Sequence, residues 1–206
     1  PLMTGLFALL AAHRPAFGQE RPYQRASGLV VGWLLTAGRH TITRLLLTLG
    51  LGQRDWTGFY RLFSAARFDY DELTRQLVRQ TLPLAPADQP YVVAGDGVAI
   101  PRHSRTMPGT GWALAPMTAP FKRGLQRAQR FVDLDWLPAP SATGYSRAVP
   151  LRWLPAFTPK AVPAPDHPPQ KEWEAGLAGL RWIQDELDAA GRTTQAVLAL
   201  GDGTYD

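Results

Sequence analysis

The stretch VVAGDGVAI, residues Val92 to Ile100, is an apolar run that leads into Gly-Asp-Gly. The stretch AVLALGDGTYD, residues Ala196 to Asp206, repeats this arrangement near the end of the sequence. Each apolar run has the length of a buried strand, and each places a carboxylate, Asp96 or Asp202, at the tip of that strand. Asp-Gly is also a common turn at a strand end. Either stretch alone is therefore compatible with an ordinary turn.

The segments between the two stretches predict how the strands are arranged. Residues 131–137 alternate in polarity as a strand does, and residues 148–157 predict another strand. The Gly- and Pro-rich residues 101–128 predict a loop or an irregular hairpin. Residues 171–191 predict a helix with one apolar stripe, formed by Trp173, Leu177, Leu180, Ile183 and Leu187. The order strand, strand, strand, helix, strand predicts an antiparallel meander and a right-handed crossover that lays the last strand parallel to the first.

This strand order predicts that Asp96 and Asp202 lie close together. Two carboxylates held close repel each other, and a divalent cation removes that conflict. Carboxylate oxygens are ligands that suit Mg²⁺ or Mn²⁺, and two such ions can clamp the attacking and leaving oxygens of a phosphoryl displacement. The sequence therefore predicts a catalytic, metal-binding pair. Asp133 and Asp135, on the strand 131–137, are expected to be solvent-facing or hydrogen-bonded strand residues and not ligands.

Residues 1–80 predict a set of helices, because their apolar side chains recur at helical spacing. One of these helices covers residues 70–81, with Asp69 or Asp71 as its cap. The Pro-rich residues 82–90 predict a linker. We therefore expect a helical domain over residues 1–85 and a second domain over residues 86–206.

Two of the predicted helices, over residues 42–49 and 53–65, are separated by a Gly turn and have the spacing of a helix-turn-helix. In that arrangement the exposed side of the second helix carries residues that can meet the major groove of DNA: Gln53, Arg54, Thr57 and Arg61. An ordinary helical hairpin in a small bundle is an equal alternative.

The charge distribution favours a polyanionic partner. The 206-residue chain has a net charge of +5, and residues 100–160 carry nine Lys or Arg against two acidic residues. Two groups of residues in this segment are candidates for contact with DNA phosphates: Arg102, His103 and Arg105, and then Lys122, Arg123 and Arg127. The alternative is a solvated basic surface. Trp112, Trp136 and Trp153 are expected in the core and not as base-stacking platforms.

Composition excludes several classes of site and location. The chain has no cysteine, which removes disulfides, thiolate zinc sites and cysteine nucleophiles and fits a reducing compartment. The longest apolar runs, at residues 6–12 and 29–35, are too short to span a bilayer, so no membrane partner is expected.

The sequence resembles the insertion-sequence DDE transposases, a group described as DDE superfamily endonucleases. The resemblance covers essentially the whole chain through VAGDGVAIPRHSRTMPGTGW, RAQRFVDLDWL, AVPLRWLPAFTPKA, KEWEAGLAGLRWIQDELDAAG and LALGDGTYD. It implies an RNase H-like fold, so that the chain as a whole is of α+β or α/β class, with a helical domain before a truncated RNase H-like domain. It also implies that Asp96 is the first catalytic acid and Asp202 the second, with Mg²⁺ or Mn²⁺ as cofactor. The third acid of the family is a Glu on a later helix, and no residue of this chain matches it.

The resemblance further implies double-stranded DNA as partner, both element ends and target, a cytoplasmic, nucleoid-associated location, and metal-dependent strand cleavage followed by strand transfer. It is compatible with a homodimer in the DNA complex. Two alternatives stay open: a non-catalytic, domesticated or decayed DNA-binding protein, and a nuclease of the same fold. We also expect the chain to be an N-terminal fragment that binds DNA without cleaving it, for want of the third acid, and to be poorly soluble because apolar surface around Val197 and Leu200 is exposed.

Overall fold

The computed structural model describes residues 2–115, 121, 124–140, 144 and 146–201. The chain divides into two compact units, Pro1–Gln80 and Thr81–Asp206. In the described residues the first unit is helical and the second contains a mixed sheet with one long helix. This architecture agrees with the predicted α+β, RNase H-like fold class. No helix in these ranges has the length and apolar character needed to cross a membrane.

The first unit is built from short helices whose ends are set by the local sequence. They are α1 (Leu2–Ala12), α2 (Glu20–Leu35), α3 (Ile42–Thr48), α4 (Thr57–Ser64) and α5 (Tyr70–Thr81), with a 3₁₀ turn at Arg14–Ala16. The Thr41 side chain caps α3 by accepting a hydrogen bond from the Arg44 N–H at 3.3 Å. Asp69 caps α5 in the same way, since its Oδ1 accepts from the Glu72 N–H at 3.0 Å. The predicted Asp cap of this helix is thus confirmed for Asp69.

The core of the first unit lies between α2, α3 and α4. Its buried side chains are Ala16, Phe17, Leu29, Leu45, Leu46 and Leu62. Phe17 precedes α2 and meets Tyr23 edge to face, with ring centroids 5.8 Å apart. Burial of these apolar side chains is what holds such short helices together, because isolated helices of this length are marginal in water.

Residues 82–90, which the sequence predicted as a linker, are tied to the second unit. A 3₁₀ turn covers Leu82–Leu84. The Arg192 guanidinium donates to the carbonyl oxygens of Leu82 at 2.5 Å and Ala85 at 2.7 Å. The buried Gln195 amide donates to the carbonyl oxygens of Pro86 and Gln89, each at 2.8 Å. The predicted linker is therefore part of the second unit. Proline removes backbone donors here, and two side chains near the last strand satisfy the carbonyl groups instead.

The second unit is organised around one long central strand. Its elements are β1 (Tyr91–Pro101), β2 (Thr110–Leu114), β3 (Leu125–Trp136), β4 (Val149–Pro155), α6 (Glu172–Ala189) and β5 (Val197–Gly201). One edge of β3 pairs antiparallel with β1, and the other edge pairs with β2 along its first part and with β4 along its second part. β5 joins the free edge of β1 in parallel. The predicted meander and the parallel return of the last strand are confirmed.

The sequence left a loop and an irregular hairpin open for residues 101–128, and the described residues of this region form a hairpin. β2 and the start of β3 pair from Thr110↔Gln129 to Leu114↔Leu125. β3 begins at Leu125, six residues before the predicted strand, because its first part contains polar residues that do not alternate with apolar ones. The sheet thus has one more strand than was predicted.

The helix α6 covers one face of the sheet with small residues. Its buried positions are Ala175, Gly176, Gly179, Ile183 and Leu187. A Cβ built on Gly179 would lie 2.3 Å from Cδ1 of Leu134 and 2.7 Å from Cδ1 of Leu154, so only glycine allows this approach. The predicted stripe is correct for Ile183 and Leu187 and wrong for Trp173 and Leu177, which are 51% and 41% exposed. Close backbone packing has replaced contact through large side chains at this end of the helix.

Candidate active site

Asp96 lies in the middle of β1 and not, as the sequence predicted, at the tip of the strand, because pairing with β3 extends β1 to Pro101. Its neighbour across the sheet is an acidic residue of β3. The register pairs Asp96 with Asp133 and Ala94 with Asp135. Residues directly opposite on antiparallel strands point to the same face, with Cβ atoms about 5 Å apart, and alternate residues of one strand share a face. Asp96, Asp133 and Asp135 therefore lie on the same face of the sheet.

Asp133 and Asp135 are partly buried, and their environment disfavours two negative charges. Burial, followed by the charge of Asp135, raises the pKa of the Asp133 carboxyl from 3.8 to about 6, and a hydrogen bond from the Trp153 side chain opposes the rise. Burial also raises the pKa of Asp135, against a hydrogen bond with Asp133. Within the described part of the chain, the buried Oδ1 of each has no hydrogen-bond partner. Both residues are hydrogen-bonded strand residues, as predicted. One oxygen of each carboxyl, the Oδ1, lacks a partner among the described residues.

These orphaned oxygens bear on whether a metal ion fits here. Carboxylate oxygens are the donor set that Mg²⁺ and Mn²⁺ prefer, and buried oxygens without donors are compatible with a cation nearby. Among the described residues, however, no group of three or more His, Cys, Asp or Glu side chains is arranged to hold a metal ion. The carboxylates around Asp96 therefore fit part of a metal site, which residues outside the described ranges would have to complete.

The opposite face of β1 lies against an ion pair between β3 and α6. Gly97 points away from the Asp96 face, and a Cβ built on it would lie 3.0 Å from Oε2 of Glu172. Glu172 forms an ion pair with Arg130. Glu174, two residues along α6, accepts a hydrogen bond from the Lys171 N–H at 2.7 Å and caps the helix. The acidic residues at the start of α6 thus have structural partners on the far side of the sheet.

The second predicted acid, Asp202, lies outside the described residues, as do Lys122 and Arg123. The strand that leads to it is described. β5 is parallel to β1, and the last described pair of this ladder is Gly95↔Gly201. Asp96 and Asp202 are the residues that follow this pair in the sequence.

The loop after β1 is held by arginines that were predicted to contact DNA. Arg102 donates from Nε to Oε1 of Gln129 at 2.9 Å. Arg127 donates from Nε to the Ser104 carbonyl at 3.4 Å and from Nη2 to Oγ1 of Thr110 at 3.0 Å. These contacts fix the shape of the loop close to the Asp96 strand. His103 and Arg105 are exposed, and no partner for either side chain is found in the described ranges.

Trp112 is an exposed aromatic residue on the same face of the sheet as Asp96. It pairs with Arg127, which shares a face with Asp133 by strand alternation. The Arg127 guanidinium lies over the Trp112 ring, 5.9 Å from its centroid. The expectation that Trp112 is a core residue is wrong, since it is 67% exposed on the edge strand β2, whereas Trp136 is buried at 3%. Trp153, at 37%, is exposed in part.

The helix-turn-helix prediction places four residues on the second helix, and the structure corrects it for two of them. α4 begins at Thr57, where Oδ1 of Asp55 accepts a hydrogen bond from the Thr57 N–H at 2.9 Å. Gln53 and Arg54 lie in the turn before α4, because Asp55 starts the helix later than the apolar spacing indicated. All four predicted residues, Gln53, Arg54, Thr57 and Arg61, are exposed.

Comparison with known proteins identifies the family to which the sequence belongs. The sequence profile described as DDE superfamily endonuclease matches residues 14–206. No curated protein and no solved structure gives a significant match.

Proposed function

Since the chain belongs to the DDE superfamily endonucleases, a group with nuclease- or transposase-type function on DNA that generally uses divalent metals, we propose that it is an insertion-sequence transposase. Its reaction would be metal-dependent cleavage of DNA strands at the ends of the element, followed by transfer of those ends to target DNA.

The observation that carries this proposal is the parallel register of β1 and β5. The ladder runs from Tyr91↔Val197 to Gly95↔Gly201 without a shift. β5 is last described at Gly201, beside Gly95 in the middle of β1, which continues to Pro101. Because an Asp follows each member of the last pair, we propose that Asp96 and Asp202 are neighbours and ligate the same Mg²⁺ or Mn²⁺.

The residues of the chain would then act by holding charge in place. Asp96 and Asp202 would bind the cation through carboxylate oxygens, which removes the repulsion between them. Divalent cations held by these carboxylates would supply positive charge for the attacking and leaving oxygens of an in-line phosphoryl displacement. The orphaned oxygens of Asp133 and Asp135 add negative potential on the same face of the sheet.

The DNA strand would run along the same face of the sheet, beside the loop after β1. We assign phosphate contacts to His103 and Arg105, which are exposed, and to Lys122 and Arg123. Arg102 and Arg127 would act through the loop that they hold. Residues 97–132 contain six Lys or Arg and no Asp or Glu, and this basic segment is complementary to a phosphate backbone.

The helical unit would recognise the element ends. Thr57 and Arg61 on α4, and Gln53 and Arg54 in the preceding turn, are exposed and can reach DNA. We further propose that the chain acts as a homodimer on paired element ends. It would do so in the bacterial cytoplasm, at the nucleoid.

The test has a metal arm and a DNA arm. Mg²⁺ or Mn²⁺ should raise the thermal unfolding midpoint of the chain by mass action, and Asp96→Asn or Asp202→Asn should abolish the shift. Asp166→Asn, in an exposed loop, is the matched control and should leave it unchanged. A cation effect that survives both Asp96→Asn and Asp202→Asn would refute the shared site.

The DNA arm uses a plasmid that carries the element's two ends. Nicks confined to the ends, present with Asp166→Asn and absent with Asp96→Asn, support a transposase. Cleavage spread over the plasmid indicates a nuclease of the same fold. DNA binding without any cleavage is the result expected of a chain that has no match to the third acid. Together with a cation effect that Asp96→Asn abolishes, it supports the transposase site, and without any cation effect it favours the non-catalytic DNA-binding protein.

A further inference from the structure

A polar cavity of about 290 Å³ lies in the helical unit, between the first turns of α2 and the segment around α4. Four of the described residues that line it are arginines: Arg21, Arg25, Arg61 and Arg67. They come from two positions on α2, one on α4 and one just after α4. Packing of α2 against α4 is what brings them together.

Two of these four arginines have described interactions that use no hydrogen-bond donor: the charges of Arg25 and Arg61 act on Asp55, and Arg25 lies over the Phe59 ring. No hydrogen bond or ion pair of any of the four guanidinium groups is found within the described residues. In the same unit Arg14 is paired with Glu20 at 2.7 Å and Arg75 with Glu72 at 2.5 Å. The helical unit therefore supplies ion-paired acids to arginines elsewhere, whereas the acid that the described residues place in this cavity is Asp55.

Asp55 is the acidic residue among the described residues of the cavity lining, and it is already engaged. Its Oδ1 accepts a hydrogen bond from the Thr57 N–H at the start of α4, and its pKa is lowered mainly by its hydrogen bonds with Thr57 and further by the charges of Arg25 and Arg61. Four guanidinium groups against one carboxylate leave an excess positive charge in one cavity, and like charges gathered in this way favour an anion.

Arg25 is held in position at the edge of the cavity by contacts with α4. A Cβ built on Gly58 would lie 2.3 Å from Cζ of Arg25, so the guanidinium rests directly against the α4 backbone. The same Cζ lies 5.9 Å from the centroid of the Phe59 ring. Glycine at position 58 thus makes space for the Arg25 guanidinium beside the first turn of α4, and none of its N–H groups has an acceptor among the described residues.

We propose that this arginine pocket, formed by Arg21, Arg25, Arg61 and Arg67, binds a phosphate group of the DNA backbone. Guanidinium forks match phosphate oxygens bidentately and remain charged at all relevant pH values. A backbone contact of this kind carries no base information but fixes the register of the helical unit on the duplex. The proposal rests on DNA being the substrate and adds three arginines that the major-groove prediction did not contain.

The experiment measures binding of the full chain to a labelled duplex by fluorescence anisotropy over a range of salt concentrations. Arg25→Ala and Arg61→Ala should each weaken binding about tenfold at low salt and reduce the log–log salt slope by about 0.9, the value for one phosphate contact. Arg25→Lys should weaken binding while keeping the slope, because it keeps the charge and loses the fork. Asp55→Asn, which retains a capping side chain, should strengthen binding.

Arg44→Ala is the matched control, because Arg44 is an exposed arginine of α3 outside the pocket and its loss removes the same charge. Pocket variants that behave like Arg44→Ala, in a chain whose wild-type form binds DNA, overturn the pocket and leave the proposed function standing. A wild-type chain that does not bind DNA at low salt overturns both. If Arg25→Ala fails to fold, as circular dichroism will show, Arg21→Ala and Asp55→Asn decide the question, because Arg61 is also a predicted major-groove residue.

A second arm distinguishes the phosphodiester from free anion. Inorganic phosphate at millimolar concentration should compete weakly with DNA for the wild-type chain and not for Arg61→Ala. Phosphate that stabilises the fold through the pocket, while DNA binding is unchanged in every pocket variant, would overturn the assignment to DNA.

Discussion

Asp133→Asn should remove a pH-dependent destabilisation of the folded chain. Asparagine has nearly the same shape as aspartic acid, is neutral at every pH, and can donate a hydrogen bond to Asp135 as the protonated Asp133 carboxyl does. The substitution therefore keeps the packing on β3 and removes only the titration. Asp185→Asn, on the exposed side of α6, removes one negative charge without touching the site and is the matched control.

The sign of the effect follows from the raised pKa of Asp133. The carboxyl has a pKa of about 6 in the folded chain against 3.8 as the ordinary value. Between these values the folded chain holds a proton that the unfolded chain has released, so the free energy of unfolding falls as the pH rises through this window. The loss is complete once the pH is above the folded pKa, and it is absent below the unfolded one.

The magnitude follows from the same shift. About two pKa units correspond to about 3 kcal/mol if the whole shift acts on stability. Because the side chain is only partly buried and water screens part of the interaction, we expect about half of that, roughly 1.5 kcal/mol. Asp133→Asn should thus equal the wild type in stability near pH 4 and exceed it by about 1.5 kcal/mol near pH 7.5.

Urea unfolding followed by tryptophan fluorescence measures the difference between variants across this pH range. A ¹³C titration of the Asp133 carboxyl reports its pKa directly, and Asp135→Asn should lower that pKa in part, because the Asp135 charge is the second cause of the shift after burial. The reasoning is refuted if Asp133 titrates near its ordinary value, or if the stability of Asp133→Asn follows pH as steeply as that of the wild type and of Asp185→Asn.

Three other expectations can be checked on the same protein. Gly179→Val should destabilise the second unit by about 1–3 kcal/mol in urea unfolding, because its Cβ would fall 2.3 Å from Leu134, whereas Ala178→Val on the exposed side of α6 should change little. Arg192→Ala should cost about 1.5–3 kcal/mol, because it leaves the carbonyl groups of Leu82 and Ala85 without their donor; an effect no larger than that of the exposed Arg181→Ala would contradict this. Trp112→Ala should weaken DNA binding by about 1–3 kcal/mol if a base stacks on the ring, and Trp112→Phe should recover much of that loss. Trp173→Ala, at a position that is 51% exposed, should leave binding unchanged, and equal losses at both positions would contradict stacking on Trp112.

Several features of this chain could be predicted from residue order alone. The apolar run before each Gly-Asp-Gly identifies β1 and β5, and Asp69 identifies the start of α5, because strand period and helix caps depend on near neighbours in the chain. The parallel return of β5 beside β1 follows as well, since crossover connections have one hand. The neighbourhood proposed for Asp96 and Asp202 rests on this reasoning.

Other features required the packing. Asp133 lies opposite Asp96 because of the register between β1 and β3, and no local pattern specifies that register. Shifting it by one residue would move the Asp133 side chain to the other face. The exposure of Trp112 has a related cause, since an aromatic residue in a strand pattern is buried or exposed according to whether its strand has a neighbour and a covering layer.

The arginine pocket is the clearest case of a feature decided by tertiary structure. Arg21 and Arg25 are separated from Arg61 and Arg67 by some forty positions, and along the sequence each reads as an ordinary surface arginine. By helix propensity alone Gly58 is an unfavourable residue in α4. The structure gives the reason for it, because the Arg25 guanidinium rests against its backbone. Sequence order determined which segments became helices and strands, because those choices depend on interactions within a few residues. Which charges meet depended on how the finished helices pack, because electrostatic interaction depends on distance in space and not on separation along the chain.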